Sequence, residues 1–74
     1  MSPKKAKLLT ADYFQKHNLI FIDTCMLEDI ETNKLVLHIN AHGRKGFFKL
    51  KMDDASNLFH LSRKTRRWTR IKKY

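Results

Sequence analysis

Between Lys34 and Met52 one set of apolar residues recurs at every second position, in two runs separated by Gly43-Arg44-Lys45-Gly46. A period of two belongs to a strand with one buried face. Two such runs around a short glycine-bearing loop form a hairpin. Leu35, Leu37, Ile39 and Ala41 share one face of the first run, and Phe48, Leu50 and Met52 share one face of the second. With all four loop residues counted out, His42 opposes Phe47, Ala41 opposes Phe48, Ile39 opposes Leu50 and Leu37 opposes Met52. A slip of one residue sets Ile39 against Lys49, so the apolar pairs select the first register. The opposite face then shows Val36, His38, Asn40, His42, Phe47, Lys49 and Lys51, with Arg44 and Lys45 at the tip.

Upstream, Leu19 to Leu27 is rich in branched and aromatic residues and reads as a further strand, joined to the hairpin through the polar stretch Asp29 to Asn33. Two registers compete. One turns Ile20, Ile22, Thr24 and Met26 inward and sets Asp23 opposite His38. The other turns Leu19, Phe21, Cys25 and Leu27 inward and buries Asp23. The first is preferred, because an unpaired buried carboxylate costs several kcal/mol. Its outer Phe21, Cys25 and Leu27 then need a cover, for which the short helix before them is available. That helix is expected over Leu8 to Asn18, with Thr10 as N-cap, Leu9 packing on Phe14, and Asn18 as a left-handed stop. Residues 1–7, MSPKKAK, are expected as a flexible basic arm ahead of a single domain over 8–74. Ser2-Pro3-Lys4-Lys5 resembles the SPKK element of histone tails, which implies contact with the minor groove of AT-rich DNA.

Downstream, Asp53 to Tyr74 opens on two acids and closes on Arg63, Lys64, Arg66, Arg67, Arg70, Lys72 and Lys73 without an acid among them. At about 100° per residue, Leu58, Leu61, Thr65 and Trp68 make one stripe, and Arg63, Arg66, Arg67 and Arg70 make another, flanked by Lys64. A helix from about Asp53 to Arg70 is expected, capped by Asp53 or Asp54 and with its charges arranged as the helix dipole favours. The alternation in Arg66 to Tyr74 leaves an extended tail or extra strand as the alternative. The expected fold is therefore α+β. A three-stranded antiparallel sheet packs on a C-terminal basic amphipathic helix, with a short N-terminal helix. The expected core is Ile20, Ile22, Met26, Leu35, Leu37, Ile39, Phe48, Leu50, Leu58, Leu61 and Trp68.

Seventy-four residues hold one core. Cys25 is the single cysteine, which excludes an intrachain disulfide and suits a reducing, cytoplasmic setting. No run reaches the roughly 18 to 20 apolar residues that span a bilayer, and no apolar signal core follows the N-terminal bases. A formal charge of +9 repels itself and calls for a polyanionic partner.

Catalytic and metal chemistry have few residues to stand on. His38 and His42 lie about 13 Å apart on a strand at roughly 3.3 Å per residue, so they cannot share one zinc. No metal or cofactor is expected. An Asp23–His38 pair with Lys49 and Lys51 nearby is the one arrangement with acid–base character, similar to a small ribonuclease site. The stronger set is a binding set. Arg44, Lys45, Lys49, Lys51, Arg63, Lys64, Arg66, Arg67 and Arg70 neutralise phosphates, Asn40 offers amide donors, and Phe47 and the histidines offer stacking planes. The order helix, three strands, helix is similar to the double-stranded RNA-binding domain, and strands followed by a helix resemble the arm-binding domains of tyrosine integrases. The Lys-Lys-x-Ala-Lys helix start of the RNA-binding family is replaced here by Asp53-Asp54-Ala55. The leading expectation is a small basic DNA- or RNA-binding protein, accessory or regulatory. The alternatives are an inhibitor or modulator docking on an acidic protein, and a small ribonuclease.

Overall fold

In the computed structural model, which describes residues 2–74, the chain runs α1 (Pro3–Leu9), α2 (Ala11–Lys16), β1 (Ile20–Glu28), β2 (Leu35–Gly43), β3 (Gly46–Met52), β4 (Asn57–Leu61) and β5 (Trp68–Lys73). The strands form one five-stranded antiparallel sheet in the order β1-β2-β3-β4-β5. Each strand therefore pairs with its neighbours in sequence, and successive connections alternate between the two ends of the sheet.

The central hairpin has the register its apolar pattern predicts: Leu37 faces Met52, Ile39 faces Leu50, Ala41 faces Phe48 and His42 faces Phe47. The turn is tighter than expected, since Gly43 and Gly46 also pair and only Arg44 and Lys45 lie between them. Gly46 sits at φ 106°, a conformation side chains rarely adopt.

The expected helix from Asp53 to Arg70 is absent. That stretch is a turn, β4, a loop and the start of β5. Asp53 does accept backbone N–H groups, but from Ala55 at 3.0 Å and Asn57 at 2.9 Å. Its other oxygen accepts from the Asn57 side chain at 2.9 Å. A short carboxylate closes a turn by the same chemistry that caps a helix. Ser56, at φ 62°, then reverses the chain. β4 gives β3 a partner for Leu50, Lys51 and Met52, and places Leu58 opposite Met52. Pairing of that length with burial of Leu58 outweighs an isolated helix whose bases have no acids within reach. The likeness of layout to the double-stranded RNA-binding domain and to the integrase arm-binding domains ends here, because each needs a helix after the strands.

The core lies between the helices and one sheet face. Ala6, Leu37, Ile39, Leu50, Met52 and Leu58 are fully buried, with Leu9, Tyr13, Phe14, Leu19, Phe21, Phe48 and Tyr74 packed around them. Residues 3–7, expected within a mobile arm, are helical. Ser2 caps α1 by accepting from the Lys5 N–H at 3.2 Å, Pro3 occupies its first turn, and Ala6 is buried. The four residues of the SPKK match are thus the cap and first turn of a helix. Thr10 is a junction and caps nothing with its side chain; its hydroxyl donates to the Ala6 carbonyl at 2.8 Å. Asn18, at φ 54°, ends α2 as expected, with the Leu19 N–H returning to the Phe14 carbonyl at 2.8 Å.

β1 departs from both registers considered. A bulge between Phe21 and Asp23 changes parity within the strand. Phe21 consequently faces the helices, Thr24 and Met26 keep the parity of Ile39 and Leu37, and Asp23 lies opposite Asn40. Ile20, Ile22 and Leu35, expected in the core, are exposed, as is much of Met26. Trp68 and Leu61 leave the core for the opposite face of the sheet.

Candidate nucleic-acid interface

The face away from the helices is built by the alternate residues of the same strands. β2 contributes Val36, His38, Asn40 and His42, and β3 contributes Phe47, Lys49 and Lys51. β4 and β5 extend it with Phe59, Leu61, Trp68 and Arg70 through the pairs Lys51–Phe59, Phe59–Arg70 and Leu61–Trp68. No helix lies on it. Phe47 is 70% exposed, and the His42 ring meets it edge-on at 5.9 Å. Toward the middle, the Lys51 ammonium lies 4.6 Å from the Trp68 ring centre and 5.4 Å from that of Phe59. Trp68 also meets His38 edge-on at 5.5 Å, and both line a cleft with Val36, which accounts for the burial of Val36 on an otherwise open face.

The expected Asp23–His38 pair does not form. Asp23 accepts from the Asn40 amide at 2.7 Å, while His38 lies opposite Cys25 and Lys51. Burial lowers the His38 pKa, Lys51 and Lys49 lower it further, and Asp29 opposes them. The acid–base arrangement inferred from sequence called for a raised value.

The bases predicted as one helical row are divided between a loop and a strand. Arg63, Lys64, Arg66 and Arg67 lie in the connection between β4 and β5, and Arg70 lies in β5 on the same face as Lys49 and Lys51. The loop is closed by Arg66 N–H to Ser62 carbonyl at 2.8 Å and Ser62 N–H to Arg67 carbonyl at 3.0 Å, with Arg66 itself at φ 56°. Arg63 reaches across to the other basic turn. Its guanidinium donates to the Lys45 carbonyl at 2.7 Å and also to the Phe47 carbonyl. Arg44, Lys45, Arg63, Lys64, Arg66 and Arg67 are thereby gathered at one end of the sheet.

The other end carries the opposite sign. The β1–β2 connection holds Asp29 and Glu31 just after Glu28, and the β3–β4 connection holds Asp53 and Asp54. Asp29, Asp53 and Asp54 line one cleft, so these two connections adjoin. The hydrogen bonds from Asn57 and Ala55 outweigh burial and hold the Asp53 pKa below the usual carboxylate value. Five of the seven acids thus stand at the end away from the six clustered bases.

Sequence reasoning missed Phe59, Leu61 and Trp68 as part of this face. The available signal was the alternation of Trp68 and Arg70 against Thr69 and Ile71, together with the Asp-Asp-Ala-Ser-Asn turn composition ahead of Leu58. Among the described residues no group of histidine, cysteine or carboxylate side chains is placed to hold a metal ion, and no helix is long and apolar enough to cross a membrane. Comparison with protein-family models, with curated proteins and with solved structures yields no match.

Proposed function

We propose that the protein binds nucleic acid, with its basic end on the phosphate backbone and its open sheet face against the bases. The observation that carries this reading is the meeting of two connections, 44–45 and 62–67, which concentrates six cations at one end of a sheet whose acids stand mainly at the other. Such a gradient orients a polyanion as it approaches and raises its local concentration. The adjoining face continues the cationic track through Lys49, Lys51 and Arg70, and its aromatic rings supply flat apolar surface for bases.

Titration of a 20-base-pair duplex and a single strand of equal length, from low to moderate salt, tests this reading. Each neutralised phosphate of a duplex adds about 0.9 to the slope of log affinity against log salt. Replacing Arg66 and Arg67 together by Ala is expected to flatten the duplex slope by nearly two units, with little change in melting temperature, because both side chains are exposed. Absence of measurable binding to duplex, single strand and structured RNA at low salt overturns the reading and leaves docking on an acidic protein as the better account of the charge.

A further inference from the structure

β3 and β4 part company before either strand ends. Their pairing covers Leu50–His60, Lys51–Phe59 and Met52–Leu58, although β3 begins at Gly46 and β4 continues to Leu61. Continued in register, Lys49 would meet Leu61. Instead, Arg63 comes in beyond the last pair and donates to the Phe47 carbonyl of β3 and to the Lys45 carbonyl in the turn before it, so a side chain serves the β3 acceptor where a strand would have supplied an N–H group. The result is a slot at the basic end of the sheet, of about 460 Å³, lined by Phe47, Lys49, Leu61, Ser62, Arg63 and Arg66 among others. Toward the helices it is backed by Phe48 and His60, stacked at 4.1 Å with planes 7° apart.

We infer that this slot receives one unpaired nucleotide, so that the ligand of the open face is a single strand. The inference rests on the nucleic-acid reading above and narrows it. The volume lies within the roughly 300 to 1,000 Å³ typical of small-ligand pockets. Its walls combine the two chemistries of a nucleotide: apolar and aromatic surface from Phe47 and Leu61 for the base, and cations from Lys49 and Arg66 for the phosphate. A base in a duplex is stacked between its neighbours and cannot enter a recess between two strands without flipping out. A base in a single strand enters at no such cost. Phe47 is the residue to question, because its exposed ring stands at the slot while contributing little to the core.

The test uses the full chain, a labelled 12-nucleotide single strand, and the blunt duplex of the same sequence, at one fixed low salt. The wild-type protein is expected to favour the single strand by about tenfold or more, in line with the loss of one base–aromatic stack. Phe47→Ala is expected to lower single-strand affinity about tenfold, to leave duplex affinity within twofold, and to melt within a few degrees of wild type. Phe47→Trp is expected to retain the single-strand preference. Equal binding of both forms, weakened by Arg66→Ala with Arg67→Ala but unmoved by Phe47→Ala, overturns the slot and leaves the nucleic-acid reading standing. Failure to bind either form at low salt overturns both.

Discussion

The two faces of the sheet are made by the same strands and answer to different demands. On β3 the contrast is residue by residue: Phe48, Leu50 and Met52 turn toward the helices, while Phe47, Lys49 and Lys51 turn away. Leu50 and Met52 are wholly buried, and Phe47 is largely open to solvent. Adjacent residues of one chain can thus be given to the core and to an open surface, because the strand period of two sends them to opposite sides. The covered face is fixed by packing, where a methylene out of place is felt. The open face is held by the backbone ladder of the strands beneath it, so its side chains are free to be chosen for another purpose.

The harshest way to break this contrast is to place a charge on the covered face. Leu37→Asp is expected to abolish folding, since Leu37 is fully buried in a small core and the net stability of such a domain is only about 5–15 kcal/mol. Circular dichroism and hydrogen exchange would show it; native protection in that variant would sink the packing described. The neighbouring pair Phe47 and Phe48 gives the sharper comparison. Phe48→Ala removes a ring from the core edge and from its stack on His60, and is expected to cost about 2 kcal/mol in urea denaturation, somewhat less than a fully buried Phe. Phe47→Ala is expected to cost a few tenths of a kcal/mol. Similar losses at the two positions would erase the distinction between faces.

A smaller effect separates charge from conformation at the basic end. Arg66 holds φ 56°, which favours glycine. Arg66→Gly is expected to raise stability by about 0.5–1 kcal/mol while weakening nucleic-acid binding, so stability and affinity move in opposite directions. Parallel movement of the two would argue that the loop conformation, and not the cation, sets affinity.

The smallest expected effect is a pH dependence shared by both faces. Burial lowers the pKa of His60, on the covered face, and Arg63 lowers it further; burial and then Lys51 and Lys49 do the same to His38 on the open face. Below the ordinary histidine value of 6.5 the unfolded chain therefore takes up protons before the folded one. Stability contributed by these neutral imidazoles is full above pH 6.5 and is lost as pH falls through their depressed values. Replacing both by Gln is expected to flatten the melting temperature between pH 5 and 7; an unchanged slope would assign the dependence elsewhere.

Much of the fold is legible in the central hairpin and little of it in the chain after Met52. Leu37, Ile39, Leu50 and Met52 can be placed correctly because a one-residue slip would expose a whole apolar face, so the pattern alone selects the pairing. Asp53 is different. Its carboxylate accepts backbone N–H groups equally well at a helix start and in a turn, and a 100° stripe through Leu58, Leu61, Thr65 and Trp68 can be drawn across residues that in fact lie on two strands and a loop. For β1 the parity is changed by a bulge that no residue type announces, and Asp23 finds Asn40 in place of His38.

The sequence by itself determined the β2–β3 register, the inward set Leu37, Ile39, Leu50 and Met52, the left-handed stop at Asn18 and the excess of positive charge, because each follows from local geometry or from composition. Only the tertiary structure decided that residues 57–61 and 68–73 would pair as strands, that Trp68 and Arg70 would join the face of Lys49 and Lys51, and that Arg63 would bridge two basic turns. The free edge of β3 is what decides it. Its unpaired backbone groups and the exposed side of Met52 are satisfied by β4, a partner brought into reach by the turn at Asp53 to Asn57 and selected by burial that no local propensity records.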